Sequence, residues 1–537
     1  MAGLQNLPSE TIASIATYLR QHDLARFALV CSKFQAPAED KLYQSPLLEY
    51  RYAAPAPRYN TLVFLRQFAV TLLRYPRLAL KVRELTMVTA KHDGLVGAGV
   101  DSKCIDLASK VVDSVALTSL QWAARAQNWK ERLRMGDGNA WGGLILALVP
   151  RLETLSIEIL SRGGMAGLSS WDPDRFASNP TEKLFGFLSD SAPPEALLHL
   201  DLSVLPGLRN ISELRFFGKE LDANWCLLPN LQWLEVGRDC TRPDILRGCA
   251  DSLEPLARPQ VSYLTMEIST GLTLSNGLDQ YGALRQHFLS PSTFPKLTSL
   301  RLCLTNVRFD GYDDENNDPE WNGPEGVILE PTYTGLFDDL LDRLGSIAAT
   351  IQCLNFHAYS DMSAGFLSFI EPATDFTRFG SLRRLIVPQE LLLGPVYGIS
   401  SRSHTPLTAD KLLPPSLQNL TLNFATVQVF DWLDEVIHHK KYLASLCSIY
   451  LVCDNLRGDI YTDVFAMSEV WLEDRTPWFC AQVFLAPWEE HANNQSSYDC
   501  DPYVVRVVRH LDSLHEQEAE NVCDVVEFLE GLTVKGI

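Results

Sequence analysis

Apolar residues return at Ile12, Ile15, Ala16 and Leu19, the i, i+3, i+4, i+7 spacing that puts four side chains on one face of a helix. Pro8 suits a first helical position and Glu10 suits the positive end of a helix dipole, so the pattern predicts a helix starting near Pro8. After the polar break Arg20-Gln21-His22, Asp23 predicts the N-cap of a second helix. Its stripe is Leu24, Phe27, Ala28, Cys31 and Phe34, with Val30 to one side, and a short third helix follows. These helices carry more apolar surface than they can hide from one another. A stretch of about forty residues with no disulfide pair and no metal set does not bury enough by itself. A partner, or the rest of the chain, is expected to cover the surplus.

Beyond this hairpin the pattern changes. Leu47 to Asn60 is rich in Pro and Ala, with Pro55 and Pro57 breaking any helix, and Thr61 to Leu73 reads as helical again. Apolar residues in the order h-x-x-h-x-h then begin at Val82, Leu152, Leu197, Ile211, Leu231, Val261, Leu297, Ile351, Leu382, Leu417 and Leu446. Such triplets arise by chance at about one position in ten in a chain this apolar, so the count alone carries little. The context carries more. Pro150, Pro229, Pro295 and Pro415 stand two residues before the first apolar position of their triplets, and Gly380 takes the same place before Leu382.

A Pro or Gly there ends one element and starts a turn. The short strand that follows points alternate side chains inward, and stacked copies share one core. Trp141 to Leu148, Leu336 to Ala349 and Val427 to Leu443 read as helices leading into strands, and Ser102 to Leu133 as one long helix. The expected fold class is α/β: a small N-terminal helical domain (1–46), a linker and helical connector (47–80), and an irregular repeat solenoid (81–537). Tyr503 to Leu532 is expected to close the array with a strand and a helix.

Composition narrows the function. Lys and Arg total 46 against 66 Asp and Glu, a formal charge of −20 that repels phosphate backbones and anionic lipid. Neither nucleic acid nor membrane is an expected partner. No apolar run is long enough to span a bilayer and the start lacks a leader pattern, which places the chain in the cytosol or nucleus as an expectation. The 12 Cys include no C-x-x-C, and free thiols are expected. Near residues 310–330 an acidic insertion, with Tyr312 and Trp321 as candidate anchors, offers either a dock for a basic segment or a solvated loop.

A search for catalytic signatures finds no G-x-S-x-G, no H-E-x-x-H and no phosphate-binding G-x-x-x-x-G-K. His438-His439, with Cys447 and Cys453 nearby, is the nearest approach to a metal set, but adjacent helical side chains diverge. No metal, no cofactor and no catalytic residue is expected.

Leu7-Pro8-Ser9-Glu10, the aliphatic positions Ile12, Ile15 and Leu19, then Asp23-Leu24, Val30-Cys31-Ser32 and Leu42-Tyr43 resemble the F-box, in the form common in fungal proteins. Phe34 stands near where that family often has Trp. The strand frames resemble the leucine-rich repeats that often follow an F-box. They lack the usual Asn after the third apolar position, where Leu160, Asp239, Thr305, Glu390 and Ala425 stand instead. The resemblance implies docking onto the Skp-type adaptor, and through it the cullin, of an SCF ubiquitin ligase. The contacts it implies are Leu7, Pro8, Ile12, Ile15, Leu19, Leu24, Phe27, Val30 and Cys31. It also implies a non-catalytic substrate-recognition subunit whose repeat domain binds a target protein. The alternative is a leucine-rich-repeat interaction scaffold outside a ubiquitin ligase, with the hairpin as an end cap.

Overall fold

The computed structural model describes residues 6–48, 60–89, 101–159, 181, 184–185, 200–218, 221, 223–237, 259–269, 293–305, 335–358, 370–394, 408–426, 428–439, 441–453, 479–485 and 503–509. The chain divides into two units, Met1–Thr265 with Ser290–Lys296, and Met266–Leu289 with Leu297–Ile537. A helical N-terminal region comes first, and mixed helix and strand with a parallel sheet follows it.

The first unit opens with α1 (Ser9–Thr17), α2 (Gln21–Val30) and α3 (Ser32–Gln44), and α3 runs almost directly into a short strand, β1 (Leu47–Leu48). Helices α4 (Asn60–Arg74) and α5 (Pro76–Ala79) lead to β2 (Glu84–Thr89). Next come α6 (Ser102–Ala116), α7 (Leu120–Met135) and α8 (Gly138–Leu148), then β3 (Thr154–Ile159), β4 (Glu213–Gly218), β5 (Trp233–Val236) and β6 (Tyr263–Ser269), whose residues from Met266 on are assigned to the second unit. The strands lie side by side in chain order, and the pairs from β1 to β5 are parallel. Parallel neighbours need crossovers, and α8 provides one: it packs between α4 and β2, burying Trp141, Leu144 and Ile145.

The helix expected over Ser102 to Leu133 is two helices. Ser119 interrupts it by capping a new start: its hydroxyl accepts from the Gln121 amide at 3.3 Å, while Thr118 turns its own hydroxyl back to the Val115 carbonyl. The resulting α6–α7 hairpin buries Trp122 and Trp129, whose indole N–H groups donate to the Asp201 and Ala140 carbonyls at 2.9 and 3.0 Å. Gly136 ends α7 with φ of 78°, a left-handed turn that frees Asp137 to cap α8.

Of the eleven apolar triplets, ten precede a strand that starts two residues after the first apolar position, and the one at Leu197 lies outside the described residues. The turns ahead of them close as the Pro and Gly positions require. Leu152 N donates to Val149 O (3.4 Å), Leu231 N to Leu228 O (3.2 Å), Leu382 N to Phe379 O (2.9 Å) and Leu417 N to Pro414 O (3.1 Å). In each, Pro or Gly holds the second turn position. Each strand then begins with a shared bond: the amides of Glu153 and Thr154 both donate to Arg83 O, those of Ser212 and Glu213 to Glu153 O, and those of Gln232 and Trp233 to Ser212 O.

The second unit repeats this device, with Gln352 and Cys353 on Thr298 O, Arg383 and Arg384 on Gln352 O, Gln418 and Asn419 on Arg383 O, and Cys447 and Ser448 on Gln418 O. Its strands are β7 (Ser299–Thr305), β8 (Gly335–Leu336), β9 (Cys353–Ala358), β10 (Ile370–Glu371), β11 (Arg384–Pro388), β12 (Asn419–Asn423), β13 (Ser448–Cys453), β14 (Phe479–Leu485) and β15 (Tyr503–Arg509). The order β7-β9-β11-β12-β13 is parallel, β15 and β14 add on antiparallel after β13, and β8 and β10 form a separate small pair. Leu300, Leu302, Leu354, Phe356, Leu385, Val387, Leu420, Leu422 and Leu451 stack as fully buried rows on one face.

Helices Phe337–Arg343 and Val429–His438 stand where helices were expected, though shorter. The acidic insertion at 310–330, most of the Pro-rich linker and the chain after Arg509 lie outside the described residues. Among the described residues no helix is long and apolar enough to cross a membrane.

Candidate functional site

The N-terminal hairpin is held by a small interior of Ala16, Leu24 and Ala38, against which Leu19, Phe27, Ala28 and Leu42 pack. Ile12 and Phe34 are buried beside it, and Phe27 stacks on Phe34 with ring centroids 4.5 Å apart. Phe34 belongs to α3 rather than to the second helix, because Cys31 adopts extended backbone (φ −162°, ψ 161°) and divides the two.

Two helix starts differ from expectation by one to three residues. Pro8 precedes α1 as its cap, where its carbonyl accepts from the Ile12 amide at 3.1 Å and its missing N–H costs nothing. Arg20, not Asp23, precedes α2, since the chain is already helical at Gln21 and Leu24 N donates to Arg20 O at 2.8 Å. Asp23 keeps an electrostatic role, its charge lying in the first turn.

The structure sorts the expected contact residues into two groups. Ile12 and Leu24 lie in the interior, where they hold helices together rather than offer surface. Leu7, Ile15, Leu19, Phe27 and Cys31 are half-buried, and Pro8 and Val30 are exposed. The Leu7–Pro8 corner is fixed from below: Lys33 Nζ donates to the Leu7 carbonyl at 2.7 Å. Two further apolar side chains escaped the periodic reading, Tyr18 and Leu29, each 86% exposed, with Val30 at 64%. Leu29 falls five residues after Leu24 and so off the stripe, which is why a template of buried positions passes over it. The hairpin thus keeps apolar surface in water after folding.

Around α3 the hairpin is tied to its own unit. Lys81 Nζ lies 2.5 Å from Asp40, Arg77 pairs with Glu39 at 3.5 Å, and Arg83 N donates to Gln44 O at 2.9 Å. Tyr43 stacks on Phe68, and burial, then the Glu39 charge, push its hydroxyl above the ordinary range.

The strands offer a second surface, the face opposite the leucine rows. In the first unit it carries Glu213, Arg215 and Glu235, with Arg215 pairing both carboxylates at 2.8 and 3.5 Å, and Trp233 against Tyr263 with ring centroids 4.2 Å apart. In the second unit it carries Arg301, His357 and Arg384. Cys353 on that face is a poor nucleophile at neutral pH, since burial pushes its thiol up against the lowering influence of Ser299 and Arg384. His439 lies 3.5 Å from Asp410 and 3.9 Å from Glu435, and no cluster of three metal-ligating side chains occurs among the described residues.

Residues 4–49 match the family model described as F-box-like. No curated protein matches the chain.

Proposed function

We propose that the chain is a substrate-recognition subunit of an SCF-type cullin-RING ubiquitin ligase. Residues 4–49 dock the Skp-type adaptor, and through it the cullin, while a leucine-rich-repeat-like solenoid built from the parallel strands holds the protein to be ubiquitinated. The observation that carries this reading is the coincidence of the F-box-like match with a hairpin that leaves Pro8, Tyr18, Leu29 and Val30 in water. The recurring turn, shared strand-start bond and in-order parallel pairing support the repeat reading, in an array of the kind found behind fungal F-boxes.

The mechanism is proximity. The subunit breaks no bond itself; it holds a target beside a ubiquitin-charged conjugating enzyme on the cullin scaffold and raises the local concentration of target lysines. It needs no cofactor and works in the cytosol or nucleus.

The test is co-elution of the purified chain with a Skp-type adaptor by size-exclusion chromatography. The wild-type chain co-elutes, and the triple variant Tyr18→Ser, Leu29→Ser, Val30→Ser does not, with its thermal midpoint unchanged. A wild-type chain that elutes apart from every adaptor tried removes the reading.

The ion pairs and stacking that bind α3 to Arg77, Lys81 and Phe68 favour a second reading, in which the hairpin caps a repeat scaffold outside any ligase. Deleting residues 1–45 separates them. A pure cap leaves the remaining chain unstable and the adaptor indifferent to its presence.

A further inference from the structure

Lys33 is the second residue of α3, the wrong end of a helix for a cation. The free amides of a first turn already make that end positive. This turn holds no Asp or Glu to offset them, and the residue ahead of it, Cys31, gives no side-chain cap. The stability of α3 by itself favours a carboxylate at position 33. Lys33 instead reaches 26 residues back along the chain, where its Nζ donates to the Leu7 carbonyl at 2.7 Å.

That carbonyl has no other hold. Leu7 precedes α1, and Pro8 leaves the peptide between them with an acceptor and no N–H. Among the described residues no backbone amide donates to the Leu7 carbonyl, whereas the next one, of Pro8, accepts from Ile12 and belongs to the helix. The cap of α1 makes no side-chain hydrogen bond either. Lys33 therefore ties the corner to α3, and its own footing is firm: the adjacent Phe34 is 2% exposed and stacks on Phe27. Without this tie the Leu7–Pro8 corner is oriented only by a half-buried leucine and by chain continuity. A contact that spends a fraction of its time in the binding orientation lowers apparent affinity by that fraction.

We propose that Lys33 is a positioning residue for adaptor capture: it holds the Leu7–Pro8 corner in the orientation the adaptor binds, and acts through that corner rather than by touching the adaptor. The inference rests on the proposed function, which makes the corner part of the interface, and adds to it a residue outside the apolar contacts.

The experiment is fluorescence anisotropy, with the full chain titrated into a labelled Skp-type adaptor that co-elutes with it. Lys33→Met keeps the apolar stem and removes the donor. It is expected to weaken binding about fivefold or more. Its thermal midpoint is expected to stay unchanged or rise, because a cation leaves the positive end of α3. Lys33→Arg donates to the same carbonyl and is expected to bind within about twofold of wild type. Raising salt from about 0.1 to 0.5 M is expected to leave the Lys33→Met loss as large, since orientation rather than attraction across the interface is at stake.

The proposal is overturned if Lys33→Met binds as well as wild type, or if Lys33→Arg fails to restore binding. A loss that vanishes at the higher salt makes Lys33 an ion-pair contact with the adaptor and overturns it too. So does a lowered midpoint or an unfolded Lys33→Met chain, which makes the role structural. If no adaptor binds the wild-type chain, the proposed function falls and this inference with it; if wild type binds and Lys33→Met binds equally, only the inference falls.

Discussion

Gln389 and Thr426 are joined twice in the second unit: Gln389 Nε2 donates to Thr426 Oγ1 at 2.8 Å, and Gln389 Oε1 accepts from the Thr426 backbone amide at 2.6 Å. Gln389 follows β11 and Thr426 follows β12, and both are buried, so the pair bridges the ends of two neighbouring parallel strands. Gln389→Ala strips two buried groups of their partner at once and is expected to destabilise the chain by about 2–4 kcal/mol in urea unfolding. Thr426→Val removes one of the two bonds and keeps the backbone one, so a cost of about half that is expected.

Gly207 lies where the short helix Pro206–Arg209 crosses α8. A methyl group there lies 2.3 Å from the Leu146 carbonyl oxygen and 3.0 Å from Val149. Backbone cannot yield as a side-chain tip can, so Gly207→Ala is expected to cost more than about 2 kcal/mol, seen as a lower thermal midpoint. Gly380 is the opposite case, with nothing within 4 Å of an added Cβ. It occupies the turn position held by Pro150, Pro229 and Pro415 in the sister turns. Gly380→Pro is expected to raise stability by about 0.4–1 kcal/mol, because it restricts the unfolded chain and removes no bond among the described ones.

The contrast between these two glycines shows what was legible in the sequence. The turn frame around Leu382 was visible because Pro, Gly and apolar residues sit at fixed offsets, and ten triplets precede strands with a constant lag. The tightness at Gly207 was invisible, because it depends on a carbonyl sixty-one residues earlier. The same divide holds in the hairpin. Ile12 and Ala16 on α1 and Leu24 on α2 were readable from spacing, but spacing marks what folding buries. Tyr18 and Leu29, which stay in water, break the period and carry no local signal. The break between α6 and α7 was missed because apolar period alone does not register a Ser119 cap.

Burial in the hairpin therefore predicts two classes of variant. Ile12→Ala empties an interior position and is expected to cost about 2–4 kcal/mol, read as an earlier melting transition. Val30→Ser changes a side chain already in water and is expected to stay within about 0.5 kcal/mol of wild type, so any effect it has on adaptor capture is an effect on the interface.

Asp375 predicts the acid limb of stability. Burial alone pushes its carboxyl up, but the Thr377 hydroxyl, the Thr377 amide at 2.7 Å and Arg378, 3.6 Å away, together outweigh burial and hold it below the ordinary 3.8. The folded state thus prefers the carboxylate. Its contribution is complete above the unfolded value near 3.8 and is lost as pH falls through the lower folded value. Asp375→Asn is unable to gain from ionisation, so its stability is expected to fall less than wild type between about pH 5 and pH 2, while the two curves run parallel above about pH 5. Urea unfolding across that range checks it. Curves that stay parallel down to the acid end show that the Thr377 and Arg378 contacts do not hold the carboxylate in solution.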